Sequence, residues 1–330
     1  MPVLSPAEAE TLAAAALEAN RVAPVNAESV ARALVAAELT GQAGHGLRRV
    51  LSYAAQAKSG KVDGHAAPRA ERVRPGALLV DAASGFAYPA LDRACADLPA
   101  MVRGQGIAIA GIARSHHAGA VGQVVERLAR DGLVAMMFAN SPAAMAPWGA
   151  RRALFGTNPI AFACPLGGDA APIVVDLSLS RVARGKLMAA AQKGEPIPEG
   201  WALDPEGRPT TDPAAGMAGT MAPLGDAKGT ALALMVELLS AGLTGSNYAY
   251  EASSFFEGEG APPHVGQSIV AIDPALFADG TARFAAMAAE IAGAEGARLP
   301  GRRRQELRAR LEAEGISVDA ALIAEIQAIT

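Results

Sequence analysis

Gly104-Gln-Gly-Ile-Ala-Ile-Ala-Gly111 is the stretch where glycines come nearest to the spacing of a dinucleotide-binding turn. A Rossmann site needs G-x-G-x-x-G directly after a strand and opening a helix, so that the glycine backbone meets the pyrophosphate at the helix N-terminus. Here Gly104 and Gly106 precede the apolar run Ile107–Ala110, and Gly111 closes it. The order fails, and any dinucleotide must be held in another way. Working outward, Ala77–Asp81, Val134–Phe138, Ile160–Ala163, Ile173–Asp176 and Gly266–Ile272 are further short apolar strand candidates. Pro89–Gly104 and Val121–Asp131 read as helices between them.

The N-terminal part has a different texture. Ser5-Pro6-Ala7-Glu8 is a capping-box start, predicting a helix to about Asn20, and Asn26 opens a second reaching about Leu39. Gly41–Gly46 interrupts, and helix resumes through Tyr53. Further on, Gly194–Gly219 reads as an ordered loop, Thr230–Thr244 as a strongly apolar helix, Gly245–Val265 as a loop, and Pro274 onward as helices. The fold class is mixed α/β or α+β.

Composition narrows the function. At 330 residues the chain exceeds the usual single domain. The net charge is −4 and basic residues are scattered apart from Arg302-Arg303-Arg304, which argues against a nucleic-acid partner. Cys95 and Cys164 are too few for a disulfide framework, pointing to a reducing compartment. No apolar run approaches the roughly 20 residues of a membrane span, and the start lacks a signal-peptide pattern, so cytoplasmic localisation is expected.

Five segments carry candidate chemistry. His45 lies between two glycines, four residues before Arg49. A helix starting near Gly46 would put both on one face, pairing a proton donor/acceptor with a bidentate carboxylate clamp. That suits a small 2-oxo or 2-hydroxy acid; a surface His beside a surface Arg is the plainer alternative. Ser115-His116-His117 follows a strand, where ligand sites gather. His45, His65 and His264 add no zinc spacing, so no metal is expected. Arg151 and Arg152 lead into Gly156-Thr157-Asn158-Pro159, a turn suited to an anion. Asp176 closes a strand and could orient an imidazole or bind a cofactor hydroxyl; Arg181, Arg184 and Lys186 after it could meet phosphates or be solvated loop charge. Lys228-Gly229 opens the apolar helix with an ammonium at a helix N-terminus, which favours an anion without being a P-loop.

The order and wording of these segments resemble one family. Gly44-His-Gly-Leu-Arg-Arg49, Ser115-His-His-Ala-Gly119, Phe155-Gly-Thr-Asn-Pro159, Asp176-Leu-Ser-Leu-Ser180, Val182-Ala-Arg-Gly-Lys186, Ile197–Asp204, Pro209–Pro213 and Lys228-Gly229 are similar to motifs of the non-Rossmann malate/lactate dehydrogenases. The match runs in register over nearly the whole chain. The resemblance implies a largely antiparallel mixed sheet flanked by helices, with an N-terminal helical segment (1–75), a substrate and dimerisation body (76–125 plus 266–330) and a dinucleotide-binding part (126–265). It implies a homodimer that moves hydride between a nicotinamide and C2 of a small carboxylate substrate. His45 would be the general acid/base, Arg49 the carboxylate clamp, and His117 and Asp176 further active-site residues. His116, Thr157, Asn158, Ser178, Ser180, Lys186 and Lys228 would border the cofactor.

Three positions depart from the family pattern: Gly44 stands where Ser is usual, Asp226 where Gly is common, and Arg302 where an acidic residue is common. Arg302, Arg303 and Arg304 could seat a 2′-phosphate, which puts NADP ahead of NAD. Arg184-Gly-Lys186 and Gly44-His45 resemble the malate, sulfolactate and other 2-hydroxy acid branches. His116, Trp148–Pro165 and Thr244–Tyr250 resemble the branch reducing Δ1-piperideine-2-carboxylate and Δ1-pyrroline-2-carboxylate. A 2-hydroxy acid dehydrogenase is the first reading and a cyclic ketimine reductase the second. A non-catalytic dinucleotide-binding protein, suggested by Gly44 and Asp226, is the reading from another class.

Overall fold

Seven strands form the central sheet of the computed structural model, which describes residues 2–330. In chain order they are β1 (Arg69–Arg74), β2 (Ala77–Asp81), β3 (Ile107–Ser115), β4 (Val134–Ala139), β5 (Ile160–Cys164), β6 (Ile173–Leu177) and β7 (Val265–Ile272). Their spatial order is β1-β2-β3-β7-β4-β5-β6. The β2/β3 pair is parallel, joined through the crossover helix Ala87–Gln105, and the other five pairs are antiparallel. The sheet therefore runs without a break between the segments 76–125 and 126–265, with β7 pairing to both.

The opening glycine stretch leaves a helix and enters a strand, the reverse of a Rossmann turn. Gly106 ends Ala87–Gln105 in the left-handed conformation at φ +76°, and β3 begins at Ile107. β3 extends five residues beyond the apolar run Ile107–Ala110, carrying the chain to Ser115 and the two histidines. β1 has the sequence Arg-Ala-Glu-Arg-Val-Arg and no apolar alternation, so it was not foreseen. It is an exposed edge strand, where charge guards against further pairing.

The helices cover the sheet and form a second core. Ser5 caps Pro6–Glu18 as expected: the Ser5 N–H donates to the Glu8 carboxylate (2.8 Å) and the Glu8 N–H to Ser5 Oγ (3.2 Å). The next helix, Pro24–Leu39, starts two residues before Asn26 because Pro24 takes the first helical position. Ala13, Leu17, Val30 and Leu34 pack with Val50 and Tyr53 of Arg49–Ser59 and with Leu322 and Ile326 of the last helix. Gly194–Gly219 is more regular than a loop. It holds two short strands, Ala202–Leu203 and Pro209–Thr210, which form a small sheet with Thr220–Met221 just beyond it, and the Asp212-capped helix Pro213–Ala218. The apolar helix is Ala227–Glu237, continued by a wider π-helical turn at Leu238–Gly242. Among the described residues no helix is long and apolar enough to cross a membrane.

Candidate active site

His45 ends a short 3-10 turn, Ala43–His45, and Arg49 begins the following helix. The expectation that both share one helical face is corrected: Gly46 breaks the chain between them. A side chain at Gly46 would collide with the Glu38 carboxylate, which accepts from the Leu47 N–H at 2.8 Å. Arg49 folds back onto the turn that carries His45, its Nε donating to the Gly44 carbonyl at 2.8 Å. The Phe256 ring lies against the guanidinium, 4.4 Å from centroid to Cζ. Nη1 of Arg49 is buried and has no protein partner. A buried guanidinium N–H without an acceptor is costly, and a substrate carboxylate would supply one. A Cβ added at Gly44 would meet nothing within 4 Å, so its departure from Ser removes a hydroxyl without closing space.

The imidazoles of His45 and His117 stack with centroids 5.1 Å apart, and His45 Nδ1 lies 3.1 Å from His117 Nε2. The other nitrogen of His117, Nδ1, lies 2.6 Å from the Tyr53 hydroxyl, which is 3.1 Å from the Tyr88 hydroxyl. A hydrogen-bonded chain thus runs Tyr88–Tyr53–His117–His45 and leaves His45 Nε2 at its open end. Burial, reinforced by Arg49, lowers the His45 pKa to about 4 and holds His117 well below its ordinary value. Both rings are neutral at physiological pH. Each then offers one N–H and one lone pair, so the tautomer of His117 decides which way the Nε2 of His45 acts.

His116 is placed differently from the expectation. It is 1% exposed, and its ring packs edge-on against Tyr53 and Phe86 and tilted against Phe255, with neither nitrogen hydrogen-bonded. It is a packing residue behind His117, and burial lowers its pKa to about 3.

Asp176, near the end of β6, accepts from Gln42 Nε2 (3.1 Å) and from Arg304 Nη1 (3.0 Å). Its charge acts on His45 through space, favouring the protonated ring against the larger effect of burial. Within the basic run, Arg304 reaches the site, whereas Arg302 and Arg303 are exposed on the first turn of Arg302–Glu314. A shallow crevice lined by Gln42, Gly122, Asp176, Arg304 and Arg308 opens beside Asp176.

The remaining candidates fall into two groups. Thr157, Ser178, Ser180 and Lys228 border one edge. The Leu179 N–H donates to the Thr157 carbonyl, Leu224 N–H to the Leu179 carbonyl (both 2.8 Å), and the Ser178 and Ser180 hydroxyls are 2.6 Å apart. Lys228 stands exposed on the first turn of Ala227–Glu237; Lys186 is exposed beside the Trp201 ring at 5.7 Å. Asp226 sits at φ +58°, which explains the common glycine, and its carboxylate accepts from Arg181 Nη2 at 2.9 Å. Asn158 belongs to the second group. Fully buried, it donates to the Ala233 carbonyl (3.0 Å) and to Glu237 (2.9 Å). Glu237 also accepts from Asn140 Nδ2 (3.1 Å) and the Ala249 N–H (3.3 Å), and burial raises its pKa. The Gly156 and Thr157 N–H groups are taken by Glu237 and Ser141, so the turn expected to bind an anion is satisfied internally.

A model of the malate/L-lactate dehydrogenase family matches residues 4–327. The chain belongs to that family. A (2R)-3-sulfolactate dehydrogenase (NADP(+)) from Chromohalobacter salexigens is 55% identical over 99% of this chain and 97% of the relative. A Δ1-pyrroline-2-carboxylate reductase from Ancylobacter novellus is 39% identical over 99% and 97%. The solved Δ1-piperideine-2-carboxylate reductase from Pseudomonas syringae covers all of both chains with a TM-score of 0.94 at 38% identity. The non-Rossmann, largely antiparallel fold expected from the resemblance is the one observed. Sequence reasoning missed Tyr53, Tyr88, Gln42 and Phe256, which carry no motif. Tyr53 looks like any core residue of its helix until its hydroxyl meets His117.

Proposed function

We propose that this chain is an NADP-dependent oxidoreductase that moves hydride between the cofactor and C2 of a small 2-oxo or 2-hydroxy acid, with 3-sulfopyruvate and 3-sulfolactate as the leading pair. The observation that carries the reading is the neutral His45–His117 pair beside the Arg49 guanidinium, whose buried Nη1 has no protein partner. The 55% identical relative named as a (2R)-3-sulfolactate dehydrogenase (NADP(+)) supports both substrate class and cofactor.

The edge formed by Thr157, Ser178, Ser180 and Lys228 fits a polyanionic dinucleotide: Lys186 and Lys228 are exposed cations, and Asp226 is already paired with Arg181. We assign it, within segment 126–265, to the cofactor, and Arg303 to a 2′-phosphate. When bound, NADPH supplies the hydride that reaches C2. Arg49 holds the substrate carboxylate and so orients C2. With His117 Nε2–H donating to His45 Nδ1, His45 carries its proton on Nε2 and gives it to the new hydroxyl oxygen. Solvent at the open Nε2 of His45 returns that proton, while Tyr53 donates a hydrogen bond to His117 Nδ1 and keeps its own proton, because burial raises the Tyr53 and Tyr88 hydroxyls. The reverse orientation leaves a lone pair on Nε2, as needed to take a proton from the 2-hydroxy acid.

The test is oxidation of NADPH and NADH with pyruvate, oxaloacetate, 3-sulfopyruvate, 2-oxoglutarate, Δ1-piperideine-2-carboxylate and Δ1-pyrroline-2-carboxylate. Fast NADPH-dependent turnover of 3-sulfopyruvate is expected. The second reading, a cyclic ketimine reductase, is favoured by the 0.94 TM-score to the Pseudomonas syringae enzyme, and turnover confined to the cyclic imines would install it. Silence across the panel with intact cofactor binding would replace both with a non-catalytic protein.

We further propose a homodimer acting in the cytoplasm. The helix Ala227–Glu237 and its extension expose Leu232, Leu234, Met235, Leu238 and Leu243, and Leu238 and Leu243 are 50% and 65% exposed. Five exposed apolar side chains within twelve residues point to an interaction surface. Light scattering at micromolar concentration is expected to give the mass of two chains; a single-chain mass would end that proposal.

A further inference from the structure

Lys61 is among the most buried side chains of the protein, 1% exposed, yet it is a lysine. Its Nζ donates to three backbone carbonyls at once: Ser254 (2.8 Å), Glu257 (3.0 Å) and Glu259 (3.0 Å). Neighbouring side chains complete the grip. Gln56 Nε2 donates to the carbonyls of Phe255 and Glu257 (3.0 Å each), and Ser59 Oγ to that of Gly258 (2.6 Å). Five carbonyls between Ser254 and Glu259 are therefore held by side chains from Gln56 to Lys61. The segment they belong to has no helix or strand of its own. It carries Phe255, whose ring lies 5.1 Å from that of His117, and Phe256, which lies on the Arg49 guanidinium.

Three carbonyl oxygens converging on one point repel one another unless a cation stands between them, and a buried cation is costly unless its donors are filled. Each defect cancels the other here. We propose that Lys61 is a positioning residue, a built-in monovalent cation that holds the Ser254–Glu259 loop so that Phe256 stays on Arg49 and keeps the carboxylate-binding guanidinium in place. The consequence for substrate binding rests on the function proposed above; the effect on the loop does not.

The test uses full-length Lys61→Ala, which opens a cavity at the position of Nζ, and Lys61→Met, which fills it with an apolar stem. Chymotrypsin should cut after Phe255 or Phe256 on the order of tenfold faster in both variants than in the unaltered protein. Ammonium chloride, which restores charge and donors, should slow cutting of Lys61→Ala, while Lys61→Met stays fast and tetramethylammonium chloride has no effect. In the turnover assay, Lys61→Ala should raise KM for the oxo acid on the order of tenfold, leave NADPH affinity unchanged, and recover with ammonium. Wild-type cutting rates in Lys61→Ala, or equal protection by ammonium and tetramethylammonium, would overturn the proposal. If Lys61→Ala folds only with ammonium present, that dependence itself supports it; failure with and without ammonium shifts the decision to Lys61→Met, whose loop must be cut faster. Because proteolysis needs no substrate, an inactive wild type would count against the proposed reaction and not against the clamp.

Discussion

Around His45 and His117 the protein is closed, while along the edge from Ser178 to Lys228 it is open. His117 is 9% exposed and bonded on both nitrogens, with Tyr53, His116 and Phe255 packed around it. Lys186 and Lys228 are exposed on first turns of helices. The difference follows from the two tasks. A proton must leave from one atom in one direction, so the ring that carries it is fixed by neighbours and kept neutral by burial. A phosphate accepts charge from many angles, and solvated cations suffice for it. Substitutions at the closed end should therefore cost rate or stability, and those at the open edge only affinity.

The largest effect should come from His45→Ala. Turnover is expected to fall about 10²–10⁴-fold, the usual contribution of a positioned acid or base, with NADPH affinity little changed. Since burial holds His45 near 4 instead of its ordinary 6.5, the wild-type rate should carry no limb near pH 6.5 from this group. Such a limb, abolished in His45→Ala, would break the contrast by showing a solvated imidazole.

Acid stability sharpens the same contrast. His116 titrates at about 3 when folded and near 6.5 when unfolded, so the unfolded chain binds the extra proton first as pH falls. Its contribution is fully present above about pH 6.5 and is lost progressively toward pH 3. One such proton amounts to about 1.4 kcal/mol per pH unit. His116→Phe, which keeps a ring among Tyr53, Phe86 and Phe255, should flatten the fall in unfolding free energy between pH 6 and 4 by about that slope. An identical fall in both proteins would place the acid sensitivity elsewhere.

Lys228→Ala is the mildest test. NADPH affinity should weaken by no more than about fivefold, and the loss should shrink in high salt, as expected for an exposed charge at a helix N-terminus. A hundredfold, salt-independent loss would mean that the edge closes over its ligand like the other end.

Six of the seven sheet strands were legible because each is a short apolar run bounded by Gly, Pro or Asp. β1 was not, because an edge strand needs charge more than alternation. In the site, His45, Arg49, His117 and Asp176 were candidates chiefly through the family resemblance, and their joining could not be read. Gly46 separates His45 from the helix that was expected to carry it, and Gln42, Tyr53 and Arg304 reach their partners across long sequence separations. Asn158 and His116 are the instructive cases. A polar side chain aimed at a ligand and one buried for an internal network read alike in one dimension. Only the burial of Asn158 against Glu237, and of His116 among aromatic rings, tells them apart.

The place of β7 bears on how the chain is born. It is the last strand of the sheet to leave the ribosome, yet it lies between β3 and β4, bonded to both along most of its length. Until about residue 272 has emerged, the nascent chain holds two half-sheets, each presenting an unpaired apolar edge that no helix can satisfy. Those edges match a partner strand on every other unfinished copy, so this protein should depend on chaperones during synthesis and refold slowly from denaturant.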